Sequence, residues 1–248
     1  MLKRLISLSM DLFVLPMMII MSIFARSNLD PYIKDNSKPI LLLHGLGYNQ
    51  AGFLFLRLYL HWNRFSNIYS LNMDEHIFGS KSNLKEYKLK VKNKIDTIYK
   101  NHNSNIVIIG HSFGGIIGGL ICLETNKIDS LITLGTPWYG TDMVDWYNTY
   151  ILPFKKMFGI VILNKLRLLL KSESMLLKNL REDLSKKNIK IFNIGSISDW
   201  IVNNKSNKTP FKLDYCEHYN YHIHGHNSML FCPLTFNKIK NWLINKNK

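Results

Sequence analysis

Short apolar runs alternate along the chain with stretches of helical spacing. The runs are Ile40–Leu43, Ile68–Met73, Ile106–Ile109, Leu131–Leu134 and Ile189–Ile194. Between and after them, Ala51–Phe65, Leu84–Tyr99, Phe113–Glu124 and Leu234–Asn245 carry apolar residues at helical steps. A strand that is apolar at every position, as Ile40–Leu43 is, is buried on both faces. Such strands alternating with helices of about 10–15 residues predict βαβ units and a mostly parallel sheet with helices on both sides. The class is therefore α/β. The length, 248 residues, suits one large domain that needs no disulfide or metal to hold it together.

Two segments depart from this rhythm. Lys3-Arg4 precedes an apolar stretch, Leu5–Ala25, interrupted by Asp11 and Pro16. A basic start before an apolar core resembles a secretion signal or signal anchor. No A-x-A-like cleavage site follows it. An aspartate at mid-depth costs about 2.5–3.5 kcal/mol on insertion scales, and the clean part, Leu12–Ala25, falls short of the roughly 20 residues of a span. Residues 1–27 are read as a signal anchor or membrane-associated helix, and the alternative is a helix packed on the domain that occupies 38–248. The protein is expected at a membrane or exported through this segment, and otherwise in the cytoplasm. The second departure is Thr141–Lys187, where no strand is evident and a helical lid or cap at about 141–187 is predicted. Within it Ile151–Lys171 holds Lys155, Lys156, Lys165, Arg167 and Lys171 and no acid, with Leu163, Leu166 and Leu170 on one helical side. A helix so patterned suits either an anionic membrane surface or an ordinary lid with a solvated basic face.

The formal charge is +15, from 32 basic and 17 acidic residues. Of the 32 cations 26 are lysines, accompanied by 26 asparagines and 29 isoleucines, the bias that an AT-rich genome would write whatever the function. No zinc-finger, helix-turn-helix or base-stacking signature accompanies the charge, so nucleic acid is not expected as a partner. Three cysteines without a C-x-x-C suggest neither zinc nor thioredoxin-like chemistry. Cys122 reads as a buried thiol, and a Cys216–Cys232 bridge is open in an oxidising compartment.

The chemistry concentrates around Ile106-Val-Ile-Ile-Gly110-His111-Ser112-Phe113-Gly114-Gly115. Gly110-x-Ser112-x-Gly114 is a nucleophile-elbow pattern, in which a serine sits on a strained strand-to-helix turn with no room for side chains two residues away. The apolar run before it and the helix-compatible run after it supply the context that the motif requires. A serine hydroxyl is inert without a base, and the base needs a carboxylate to orient it. Asp199 follows the Ile189–Ile194 strand and is the first candidate acid. Asp214 is the reserve, while Asp142 and Asp145 come too early. His226, after Gly225 and before the last helix, is the candidate base. His218, His222, His224 and His226 could also set imidazoles on one strand face as a zinc site, but no acid or cysteine except Glu217 and Cys216 stands nearby, and no metal is expected. An oxyanion would be held by backbone N–H groups, one from Phe113 and one from Leu46 in the His44-Gly45-Leu46-Gly47 loop. His44 and His111 flank glycines at strand ends, where packing and loop hydrogen bonds are the better reading.

Leu41-Leu-Leu-His44-Gly45-Leu46, Gly110-His111-Ser112-Phe113-Gly114-Gly115, Leu134-Gly135-Thr136-Pro137-Trp138-Tyr139-Gly140 and Gly225-His226 together resemble the α/β-hydrolase superfamily over roughly residues 38–246. They are most similar to bacterial triacylglycerol lipases and lipase-like serine esterases. Such lipases usually continue Gly-Thr-Pro with His and Gly; here Trp138 and Tyr139 intervene, which would alter the wall near the acyl site. The resemblance implies an α/β-hydrolase fold and acyl-ester or lipid hydrolysis without a cofactor, through Ser112, Asp199 and His226. Acyl transfer or thioester cleavage by the same triad, and an idle lipid-binding member of the fold, are the alternatives. Acyl chain length, headgroup and oligomeric state are not encoded in these motifs.

Overall fold

A computed structural model describes residues 2–24, 30, 37–46, 48–72, 84–143, 170–172, 174–202 and 216–245. Among the described residues six strands form one sheet: β1 (Ile40–Leu43), β2 (Ile68–Leu71), β3 (Ile106–His111), β4 (Ile128–Leu134), β5 (Lys190–Ser196) and β6 (Cys216–Tyr221). Their order is β2-β1-β3-β4-β5-β6 and every pairing is parallel. The helices among the described residues are α1 (Leu2–Phe24), α2 (Leu54–Trp62), α3 (Leu84–His102), α4 (Phe113–Glu124), α5 (Met175–Lys186) and α6 (Pro233–Asn245).

Burial on both strand faces explains the short apolar runs. Leu41, Leu43, Ile106, Ile108, Leu131 and Ile191 pack with α3, α4 and α5 on one side of the sheet. Ile40, Leu42, Val107, Ile109, Ile132 and Ile194 pack with α2 and α6 on the other. The lysine face of α3 is tied to its neighbour, because Lys88 and Lys92 both pair with Glu124 at the end of α4. Part of the positive charge thus serves helix packing.

Register sets where chemistry can occur. Leu43 pairs with Gly110, His111 with Leu134, Leu134 with Ile194, and Ser196 with Tyr221. The carboxyl ends of β1, β3, β4, β5 and β6 therefore lie along one edge of the sheet. The chain leaves β1 toward β2 on one flank, whereas β3 begins the progression toward β6. Loops diverge at such a switch point and leave a crevice, which is where open α/β sheets bind ligands.

The strand β6 has no counterpart in the apolar pattern, since Cys216-Glu-His-Tyr-Asn-Tyr221 is polar and half-exposed at the sheet edge. Within the interval 141–187, α5 packs into the core on α4 through Leu177, Leu180 and Leu184. The basic stretch Ile151–Lys171 lies, but for its last two residues, outside the described residues. Helix α1 runs through Asp11 and Pro16 and rests on two 3₁₀ turns, Gln50–Phe53 and Ser228–Phe231. Its inner stripe is Ser7, Asp11, Val14 and Met18, all buried at steps of three and four.

Candidate active site

Ser112 occupies the turn between β3 and α4 with φ 54° and ψ −121°. A non-glycine residue in that region costs energy and persists only where its surroundings enforce it. The surroundings are tight here. Its N–H donates to the Leu134 carbonyl at 2.8 Å, and its own carbonyl accepts from Gly115 N–H at 3.0 Å. A Cβ on Gly110 would stand 2.6 Å from Gly114 C and Gly115 Cα, and one on Gly114 would fall on the Leu43 carbonyl. The glycines of the motif are thus required by close backbone approach of α4 to β3 and β1. Across the crevice, the site of a Cβ on Gly45 lies 3.0 Å from Ser112 Cβ, so the loop carrying Leu46 abuts the elbow.

The other two residues singled out in the sequence meet each other. Asp199 Oδ2 and His226 Nδ1 are 2.9 Å apart, both side chains almost wholly buried. Asp199 Oδ1 accepts from the N–H groups of Ile201 and Val202, each at 2.9 Å, so the carboxylate is fixed in orientation. Burial by itself would push His226 down, but the charge of Asp199, the hydrogen bond that Asp199 accepts from the ring and the charge of Asp11 outweigh this and hold the imidazole above the ordinary histidine value. The His226 ring stands against Gly135, where a Cβ would be 3.1 Å from Nδ1. Gly135 directly follows Leu134, whose carbonyl holds Ser112 N–H. The elbow and the Asp–His pair are thereby brought to adjoining strand ends.

His111 supports this arrangement from beneath. Its ring centroid lies 4.8 Å from that of His226, and its Nε2–H donates to the His226 carbonyl at 3.0 Å. Burial, the His226 charge and His44 push its pKa down to about 3 against the effect of that hydrogen bond, so it stays neutral. His44 Nδ1 lies 2.8 Å from the Gly45 carbonyl. Both histidines serve loop geometry, as their glycine neighbours suggest.

Trp138 differs from the sequence expectation of an altered acyl-site wall. It is fully buried in the core, against Gly119 of α4, with Nε1–H donating to Asn193 Oδ1 at 3.1 Å. Tyr139 lies under the Arg181 guanidinium, 4.0 Å from ring centroid to Cζ. The remaining histidines go to separate partners: His218 Nδ1 accepts from Asn193 at 2.8 Å, and His224 Nε2 lies 3.5 Å from Cys232 Sγ. Among the described residues no cluster of three or more His, Cys, Asp or Glu could hold a metal ion, and the three cysteines are free. Asp214 and Asp145 lie outside the described residues, and Asp142 accepts a hydrogen bond from Ser172.

One residue of the site escapes motif reading altogether. Asp11 of α1 accepts four hydrogen bonds from the loops of Asp199 and His226. Its only sequence signal is an acid breaking an otherwise apolar helix.

The model of the PGAP1-like alpha/beta domain matches residues 37–210. The chain belongs to that family. The matched segment contains Leu46, Ser112, Phe113 and Asp199, while His226 lies beyond it. No curated protein matches the sequence. In fold, this PGAP1-like chain is similar to a Bacillus licheniformis lipase in mature form, with a TM-score of 0.66 at 17% identity over 88% of this chain and 97% of that one. A Paleococcus ferrophilus monoacylglycerol lipase gives 0.66 at 14% identity, covering 88% and 98%. A lipase-esterase related protein of Clostridium acetobutylicum gives 0.60 at 18%, covering 87% and 98%. The α/β-hydrolase fold is common to all of them, and it supports ester hydrolysis in general.

Proposed function

We propose that the chain is a serine hydrolase of acyl esters in which Ser112 is the nucleophile, His226 the general base and Asp199 its orienting acid. The observation that carries this reading is the buried Asp199–His226 pair at 2.9 Å beside the strained turn of Ser112. Because Asp199 engages Nδ1, Nε2 is the ring nitrogen left to take the Ser112 proton. Ser112 Oγ attacks the ester carbonyl while that proton passes to His226. The carbonyl oxygen takes up the displaced electron pair and is stabilised by the N–H groups of Leu46 and Phe113. Collapse of this intermediate expels the alcohol, which receives the proton from imidazolium, and leaves an acyl ester on Ser112. Water, deprotonated by His226, then releases the acid by the same steps in reverse. The PGAP1-like family match and the lipase-like neighbours support an acyl-ester or lipid substrate.

Fluorophosphonate labelling of the purified full-length protein tests the assignment. Wild type should be labelled at Ser112, and Ser112→Ala should be unlabelled and inactive on short-chain esters while keeping its fold. Activity of Ser112→Ala within tenfold of wild type would remove the serine from the reaction.

We further propose that α1 holds the enzyme at a membrane surface. Leu2–Met21 is long and apolar enough to cross a bilayer, yet Asp11 is anchored in the domain, so crossing would require breaking its four hydrogen bonds. The face of α1 turned from the domain carries exposed Leu5, Leu12, Phe13, Leu15, Ile19 and Ile20. A helix lying in the interface with this face among the acyl chains satisfies both faces at once.

A further inference from the structure

Residues 226–228 form the tight turn that carries His226 and opens the 3₁₀ turn Ser228–Phe231, and their N–H groups have no partner in their own segment. Asp11 supplies one. Its Oδ2 accepts from His226 N–H at 2.8 Å, and its Oδ1 accepts from Asn227 N–H at 2.9 Å and Ser228 N–H at 2.8 Å. Oδ2 also accepts from the indole N–H of Trp200 at 2.7 Å. Trp200 is the residue after Asp199. One carboxylate thus grips the loop of the base directly and the loop of the acid one residue away.

A buried carboxylate is a costly way merely to dock a helix. Apolar side chains of similar volume usually do that with equal or better stability, whereas a buried charge needs its lone pairs met. Asp11 is 3% exposed and has four donors. The contact is also close: a Cβ on Gly225 would collide with the Asp11 carboxylate and lie 2.5 Å from the Ser7 carbonyl. Ser7 Oγ adds a bond to the His224 carbonyl at 3.2 Å. Successive N–H groups converging on an anion are the arrangement by which a turn is held in one geometry.

We propose that Asp11 is a positioning residue of the active site, fixing the Asp199 and His226 loops relative to each other from the N-terminal helix. The inference rests on the triad reading above. It makes α1 part of the catalytic unit rather than a detachable leader. The groups facing the His226 ring or turn are Asp199, Asp11 and His111, the last neutral. Removing the Asp11 charge therefore takes away one of the two negative charges that raise His226, and its pKa must fall.

The test is steady-state kinetics of full-length Asp11→Asn on a soluble short-chain ester, beside Ser112→Ala. The variant keeps the side-chain shape but sets an amide N–H₂ against N–H donors. We expect kcat to fall at least tenfold with KM within about threefold, and the acid limb of the kcat/KM profile to move to lower pH. A kcat within twofold of wild type, or a fall with the limb unmoved, overturns the proposal. If Ser112→Ala remains active, the triad reading itself has failed, a different result. Gly225→Ala displaces the carboxylate while leaving Asp11 in the chain, and should reproduce both changes. Should neither variant fold, amide hydrogen exchange of the wild-type protein decides. Slow exchange at His226, Asn227 and Ser228 is expected, and exchange at the rate of an unstructured chain overturns the clamp.

Discussion

The general base proposed at His226 acts only when neutral, and its surroundings favour the charged form. Burial lowers its pKa, but Asp199 and Asp11 raise it further, leaving it above 6.5. Activity should therefore be lost as pH falls through a limb centred above 6.5, and recovered as the imidazole deprotonates. A kcat/KM profile on a soluble ester checks this, and a limb below 6.5 would contradict it. Asp199→Asn removes the larger of the two raising charges and allows the wrong tautomer, with Nδ1 no longer required to carry the proton. Its kcat should drop on the order of 10⁴-fold. At this scale the strained turn at Ser112 was legible because it demands glycines, which leave a spelling. The candidate acid was less so: the sequence offered Asp199 and Asp214, and the 2.9 Å contact to His226 is what singles out Asp199, Asp214 lying outside the described residues. Asp11 was illegible as a site residue, since nothing in a sequence relates positions 215 residues apart.

Among the elements, legibility followed burial. The strands read correctly are those whose two faces are both covered, so that hydrophobicity alone outlines them. The edge strand β6 escaped because it is held by backbone pairing to β5 and by polar contacts such as Asn193–His218, neither of which leaves an apolar run. Helix α4 offers a contrast between glycines that differ in purpose. At Gly114 an added Cβ would strike the rigid Leu43 carbonyl, so Gly114→Ala must push α4 off β1. At Gly118 it would meet Leu131 Cδ1 at 2.8 Å and Ile108 Cγ2 at 3.1 Å, both side-chain ends that can shift. Alanine also gains about 1 kcal/mol of helix propensity over glycine. Gly114→Ala should therefore lose about 1–3 kcal/mol in denaturant unfolding together with ester hydrolysis, whereas Gly118→Ala should unfold within about 1 kcal/mol of wild type and stay active.

For the whole molecule, the two tasks proposed for α1 fall on separate faces, and they can be tested separately. The inner face, through Ser7 and Asp11, holds the active-site loops. The outer face exposes Phe13 at 85% and Ile20 at 58%. If this face enters a bilayer, each of these side chains gains about 1.5–3 kcal/mol on leaving water. Replacing both by lysine forfeits about 3–6 kcal/mol, or roughly 10²–10⁴-fold in partitioning at 1.4 kcal/mol per decade. Lysine is chosen because anionic lipid would attract it, so weakened binding cannot be blamed on charge repulsion. Phe13→Lys/Ile20→Lys should thus cease to sediment with vesicles, neutral or anionic, while its kcat on a dissolved short-chain ester stays within twofold of wild type. Asp11→Asn should do the reverse, binding vesicles normally and turning over slowly. Vesicle binding unchanged in the double variant would show that α1 covers the domain without touching a membrane. A matching loss of turnover on the dissolved ester would mean that the two faces are not independent, and that the outer residues hold the helix in place as much as Asp11 does.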